Sequence, residues 1–244
     1  MTADREARRA ELGSRLAALR VRIADACAAA GRSPDEVALL AVTKTVPASD
    51  VTLLMELGLT AFGENRVQEA AAKVAEVAAT HPGARWHLVG GLQRNKARAA
   101  VRWADRVESV DSVRLADALD AAVRRAQDAG DRSDPLPVLL QFSVDGDPDR
   151  GGVPLDRLLP LAEHVAGCAG LRLDGTMAVA PLGMDTERAF SAVAAAAARL
   201  RAAFPQATTL SAGMSGDLEV AIGHGSGVVR VGTALVGDRR ITSR

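Results

Sequence analysis

No tyrosine occurs anywhere in these 244 residues, and phenylalanine and tryptophan bring the aromatic share to only 2%. A phenol is therefore missing from the stock of acid/base groups. The core has to be filled by aliphatic side chains, which the 48% hydrophobic content can supply. Lysine is nearly as scarce: of 30 basic residues only Lys44, Lys73 and Lys96 are lysine, leaving 27 arginines. The two cysteines, Cys27 and Cys168, lie in alanine-rich, helix-like contexts without metal-ligand spacing. Both are expected as small buried thiols, with no disulfide and no metal site. Thirty basic and thirty acidic side chains cancel, so neither nucleic acid nor an anionic membrane is indicated as a partner. No run approaches the roughly 20 apolar residues of a membrane span, and the opening "MTADREARRAELGSRL" reads as a charged helix former rather than a signal peptide. A cytoplasmic, soluble protein is the expectation.

What the chain does have is an apolar pattern that keeps changing period. After a helical stretch at about 5–30, closed by Gly31, eight short β-like runs follow: "VALLAVT", "LTAFGE", "RWHLVG", "RVESV", "PVLLQFSV", "LRLDGTMAV", "ATTLSAG" and "GVVRVGTALV". Helical patterns lie between them, at about 49–57, 66–79, 92–103, 112–129, 154–166, 186–203 and 217–222. Eight strands alternating with helices in this length fit one parallel (β/α)8 TIM barrel carrying an extra N-terminal helix, rather than an open sheet. Nothing linker-like divides the chain. A single domain over 1–244 is expected, with the barrel at about 37–237 and the terminal "DRRITSR" as a solvated tail.

In such a barrel the functional groups sit where strands end, at the C-terminal face. Lys44 closes the first β-like run, in "VALLAVTKTVPASDV". A lysine there either snorkels to solvent or offers a nucleophilic amine, a task that an always-charged guanidinium could not perform. The turns after the seventh and eighth strands are the usual phosphate site of this fold. Gly213, Ser215 and Gly216 suit one wall of a cradle, and Gly232 and Thr233 the other, across the barrel mouth from Lys44; ordinary turn chemistry would use the same residues. Arg230 interrupts an apolar strand, and alternation places it on one face with Gly232 and Ala234. It needs either a carboxylate from a neighbouring strand or a ligand atom. Glu64 could orient Lys44 or Arg230, or pair with a local arginine. Aldehyde-reactive lysine, phosphate cradle and arginine together match the aldehyde, phosphate and ring nitrogen of pyridoxal phosphate.

The motifs "LLAVTKTVP", "FGENRVQE", "WHLVGGLQRNKAR", "VDSVRLADAL", "LDGTMAVAP", "LSAGMSGDLEVAI" and "GSGVVRVGTALVG" resemble those of the YggS/PROSC-type pyridoxal phosphate homeostasis proteins, in order, from about residue 15 to 239. The resemblance implies a fold-type III barrel similar to the N-terminal domain of bacterial alanine racemase, with pyridoxal phosphate as an internal aldimine on Lys44. It implies further that Ser215, Gly232 and Thr233 hold the phosphate with Ser211 and Met214 nearby, that Arg230 faces the pyridine nitrogen, and that Asn65 lies beside the ring. His87 and Asn95 would belong to the cofactor-side loops. Two positions depart from the family pattern: Ser143 stands where asparagine is frequent, and Arg150 where lysine is frequent.

An arginine at the ring nitrogen disfavours a protonated pyridinium and so weakens the ring as an electron sink. A two-base racemase of the alanine racemase kind also takes a tyrosine from a second domain, and this chain has none. Three functions follow from the sequence. The first is a pyridoxal phosphate carrier or regulator in vitamin B6 homeostasis, expected to be a monomer and to pass cofactor to apo-enzymes. The second is a fold-type III amino-acid racemase or decarboxylase with an unidentified second base, histidine and cysteine being open to that role. The third is a phosphate-ester aldolase or isomerase acting through Lys44. His81 and His164 read as surface groups, His224 as a loop residue, and Trp86 and Trp103 as packing between barrel and helices.

Overall fold

The computed structural model describes residues 2–237, so the "DRRITSR" segment lies outside the described residues. Its eight parallel strands close into a barrel in chain order: β1 (Ala38–Val42), β2 (Ala61–Glu64), β3 (Arg85–Leu88), β4 (Arg106–Val110), β5 (Leu136–Phe142), β6 (Leu171–Ala178), β7 (Thr209–Ser211) and β8 (Val228–Val231), with β8 pairing back to β1. Strands covered on both faces need side chains for two cores, which is why they read as near-continuous apolar runs rather than strict alternation. Helices follow the strands: α2 (Ala48–Glu56), α3 (Val67–Ala78), α4 (Ala97–Val101), α5 (Val113–Asp128), α6 (Leu155–Ala166), α7 (Thr186–Ala203), α8 (Leu218–Gly223) and α9 (Thr233–Val236). Caps fix two of their starts: Ser112 Oγ accepts from the Leu115 amide at 3.3 Å, and Asp185 Oδ1 from the Arg188 amide at 2.9 Å.

The extra helix α1 (Thr2–Ala29) has a structural task. With only four residues, α9 cannot cover the outside of β8. At 28 residues α1 spans about 42 Å, and its stripe of Leu12, Leu16, Leu19 and Ile23 is buried against the main core. Both ends are tied down. Arg8 donates to Asp50 on α2 and to the Val236 carbonyl at 2.9 Å, while Arg32, just past the helix, donates to the Ile222 and Ser226 carbonyls. No helix among the described residues is long and apolar enough to cross a membrane.

Two elements differ from the sequence reading. The eighth strand ends at Val231: Gly232, with φ −108° and ψ −87°, turns the chain, and Thr233 begins α9. The expected alternation therefore stops before Gly232, and "GTALV", apolar enough for a strand, is a helical turn. The helix expected at 92–103 is shorter, a 3-10 turn at Arg94–Lys96 running into α4.

The outer layer, between sheet and helices, is mainly aliphatic, with the rings of Phe62 and Trp86 in tilted contact, their centroids 5.4 Å apart. Trp103 is buried in the same layer, as expected. The barrel interior is different. Leu40 is in register with Arg230, and Met177 with Ser211, so apolar and polar groups share the inward face. Near the base Asp174 accepts from Arg106 and from Nε and Nη2 of Arg172 at 2.6–3.1 Å. Burial works against its ionisation, but these two guanidinium groups outweigh it and hold the carboxyl below its usual range. A carboxylate depressed in the folded state contributes stability that is complete above its unfolded pKa and is lost as pH falls through the folded value. Urea midpoints are therefore expected to drop as pH is lowered below about 4, and Asp174→Asn should flatten that dependence.

Gly175 sits where the β5–β6 register shifts, at φ +152°. A Cβ there would lie 1.9 Å from the Thr209 carbonyl oxygen on β7. Gly175→Ala should therefore cost about 3 kcal/mol or more, or leave the protein insoluble, because strand backbone and not a flexible side chain would have to move. Urea denaturation measures it.

Candidate functional site

The C-terminal ends of β1, β2, β7 and β8 open onto one cleft of about 1590 Å³, lined by Lys44, Asn65, Met214, Ser215, Arg230, Gly232 and Thr233 among others. The α1 residues Arg8, Glu11 and Arg15 form part of its rim. With Gly216, eight of the residues singled out from the sequence thus meet in one place.

Lys44 lies two residues beyond the end of β1 rather than closing it. It is exposed, and among the described residues its amine has neither a hydrogen bond nor an ion pair. The turn that carries it is held from both sides. The Val46 amide bonds back to the Thr43 carbonyl at 3.0 Å, and Thr45 takes φ +66°, an expensive conformation for a β-branched residue. The same Thr43 carbonyl accepts Lys73 Nζ at 2.7 Å. Because β1 pairs directly with β8, the lysine turn is a neighbour of the Gly232–Thr233 turn and not across the mouth from it. Gly232 lies beside the end of β1, where a Cβ would be in ordinary van der Waals contact with Val42, 3.5 Å from its carbonyl oxygen.

Those two turns are tied to the β7 loop. Ser215 Oγ accepts from the Ala234 amide at 3.3 Å, and Asp217 Oδ1 accepts from the Met214 amide at 2.5 Å. Gly213 is buried at φ +93°, where a Cβ would meet that of Ala221 at 2.5 Å, so it shapes the loop without lining the cleft. The Asn65 backbone passes so close to Gly90 that a Cβ added there would come within 2.4 Å of the Asn65 carbonyl oxygen.

The floor is polar. Arg230 donates through Nη1 to Ser211 Oγ at 2.8 Å and through Nη2 to the Ala178 carbonyl at 2.7 Å. Ser211 Oγ donates in turn to Glu108 Oε2 at 2.6 Å, and His87 Nδ1 bonds Glu108 Oε1 at 2.6 Å. Burial lowers the affinity of Arg230 for its proton, against the pull of Glu108 and Asp217, but a guanidinium retains its charge. Of the two partners the sequence left open for Arg230, a serine bridge to a carboxylate is found. Ser211 and His87 belong to this buried network and do not line the cleft. Asn95 stands apart, exposed on the Arg94–Lys96 turn.

Other expectations resolve differently. Glu64 turns outward, away from both Lys44 and Arg230, and pairs with Lys73 Nζ at 2.6 Å and with the Thr43 hydroxyl at 2.7 Å. A strand-end carboxylate on the outward face can reach only the helix behind it. Cys27 is buried as expected, but Cys168 is only half-buried because it follows the end of α6. It clusters with Asp117 and His164, one ligand atom from each lying within 4.8 Å of the others, on the outer helical layer. His164 bonds Asp117 at 2.6 Å, and burial together with Asp120 and Asp117 pushes the Cys168 thiol up. His224 pairs with Glu187 at 2.7 Å. Arg150 straps the β5 loop to the Val179 and Ala180 carbonyls, and Ser143 Oγ accepts the Gly146 amide. Two residues the sequence reading passed over are Glu108 and Lys73. An acidic residue inside "RVESV" was the available signal for the first, and the rarity of lysine for the second.

Fold and cleft together define a (β/α)8 barrel of the alanine racemase N-terminal type, with its polar groups gathered at the open C-terminal mouth. The family model for the alanine racemase N-terminal domain matches residues 15–240. A Mycobacterium tuberculosis protein described as a pyridoxal phosphate homeostasis protein is 48% identical over 259 aligned positions, covering 100% of both chains. The solved structure of PipY from Synechococcus elongatus PCC7942, with pyridoxal phosphate bound, is 35% identical with a TM-score of 0.78, covering 93% of this chain and 100% of that one. Alanine racemase from Corynebacterium glutamicum, 16% identical with a TM-score of 0.66, covers 94% of this chain and 62% of its own, and shares the fold. The chain belongs to the pyridoxal phosphate homeostasis protein family.

Proposed function

We propose that this chain binds pyridoxal phosphate covalently through Lys44 and serves vitamin B6 homeostasis as a carrier or regulator rather than as a catalyst. The observation that carries the reading is a lysine amine, unpaired among the described residues, in one cleft with the Ser215, Gly232 and Thr233 turns and the Arg230 guanidinium. The donor set fits the group: amides and a hydroxyl for a phosphate, an amine for an aldehyde, a cationic N–H donor for a ring nitrogen, and Asn65 beside the ring. Met214 lines the same cleft, and Ser211 acts from beneath it by holding Arg230. The bound cofactor of the PipY relative supports the same assignment. When bound, pyridoxal phosphate supplies an electrophilic carbon and an electron-withdrawing ring.

The carrier reading is favoured by what surrounds that cleft. Among the described residues no histidine or cysteine lines it, and the chain has no tyrosine, so a second base opposite Lys44 has no candidate of those types. Arg230 remains a cation and donates, so it holds the ring nitrogen unprotonated and the ring a poor electron sink. The recipients of the cofactor in this reading are apo-enzymes that use it.

The native protein should show a visible absorption band, and borohydride reduction followed by peptide mapping should place the adduct on Lys44. An adduct on Lys73 or Lys96 overturns the site. In heavy water, α-proton exchange of alanine should proceed no faster with the protein than with free pyridoxal phosphate; sustained faster exchange sinks the carrier reading in favour of a racemase.

A further inference from the structure

Beneath the cleft, side chains from four strands form one unbroken chain of hydrogen bonds: His87 on β3, Glu108 on β4, Ser211 on β7 and Arg230 on β8. Glu108 and Ser211 are 0% exposed and Arg230 5%. A carboxylate in such a place sheds its charge unless it is paired. Burial does oppose the ionisation of Glu108, but His87 and Arg230 outweigh it and hold the carboxyl below its usual range. Arg230 lines the cleft, while Glu108 does not.

Charge then dictates direction along the chain of bonds. An ionised carboxylate only accepts, so the single proton of Ser211 must point at Glu108, and the hydroxyl lone pairs must face Arg230. A neutral group at position 108 would free that hydroxyl to rotate and present its proton to the guanidinium. Arg230 has five N–H donors. The bonds to Ser211 and Ala178 engage two of its nitrogens from the interior side, leaving donors for a ligand.

We propose that Glu108 is a positioning residue for the cleft: through Ser211 it orients the Arg230 guanidinium, and its negative charge keeps the cleft floor near neutrality. This rests on Arg230 facing the ring nitrogen of bound pyridoxal phosphate. The charged and titratable groups concerned are His87, Arg230, Asp217 behind the β7 loop, Lys44 at the mouth, and on the rim Asp4, Arg8, Glu11 and Arg15 of α1 with Asp50 of α2. Removing the anion makes the floor more positive, which disfavours protonation of a cofactor joined to Lys44.

The test loads purified wild type, Glu108→Gln and Ser211→Ala with pyridoxal phosphate, follows the absorbance of each across pH, and maps the borohydride adduct. Glu108→Gln should still load on Lys44, with the pH midpoint of its absorbance lowered by about one unit or more. Ser211→Ala retains both charges, so its midpoint should stay near that of wild type while its affinity falls roughly tenfold. A merely structural role for Glu108 would not move the midpoint. Wild-type affinity and midpoint in both variants overturn the inference alone. If Glu108→Gln does not fold, wild-type affinity in Ser211→Ala is enough to overturn it. A wild-type protein that forms no adduct on Lys44 overturns the cofactor reading and this inference with it.

Discussion

Lys44→Ala is expected to lose the visible absorption band and the borohydride adduct completely, while its unfolding free energy from urea denaturation stays within about 0.5 kcal/mol of wild type. The separation of the two effects follows from how the residue is held. Lys44 is exposed and makes no bond to the rest of the described protein, so truncation leaves no buried group unpaired. Its turn is fixed without it, by the Val46 amide and by Lys73 on the Thr43 carbonyl. Lys44→Arg should lose the adduct equally, because a guanidinium keeps its charge and does not condense with an aldehyde. Retention of the band in Lys44→Arg would mean that the cofactor is held by the cradle alone, and would remove the covalent part of the proposal.

Arg230→Met carries the opposite pattern, a large loss of stability. The substitution leaves Glu108 fully buried with the imidazole of His87 and the hydroxyl of Ser211 beside it, and it deletes the bonds of Arg230 to Ser211 and to the Ala178 carbonyl. Removing one member of a buried pair costs about 3–5 kcal/mol, a fall in Tm of about 6 to 20 °C for a chain of this size. The double variant Arg230→Met/Glu108→Gln should recover part of that loss, since both charges are then gone and the methionine stem still fills the interior. Calorimetry on the two singles and the double decides it: strictly additive losses would mean that Glu108 and Arg230 are not energetically coupled.

The barrel was legible because its signal is repeated. Each run of apolar residues between polar turns is weak evidence alone, but eight of them at regular spacing leave few other folds. The end of β8 was not legible, since "GTALV" has the composition of a strand and only the backbone of Gly232 redirects it. Lys44, Ser215, Gly232 and Thr233 could be singled out because glycine, hydroxyl and amine at strand ends carry chemistry that a core does not need. Glu108 was hidden by being one charged residue in a short strand, where sequence does not show which face is inward or what lies opposite. Likewise Glu64 and Lys73 are nine positions apart, a spacing with no local geometry of its own; they meet because β2 and α3 are packed back to back.

By itself, then, the sequence determined the barrel, the family and the residues able to carry chemistry, since each depends on local pattern or on residue type. Only the tertiary structure decided which carboxylate serves which cation. It joined Glu108 to Arg230 through Ser211, gave Glu64 to Lys73, and placed the amine of Lys44 at the mouth with no partner among the described residues. Pairing in a closed barrel is set by strand register and by the inward or outward face, and both are fixed only when the last strand meets the first.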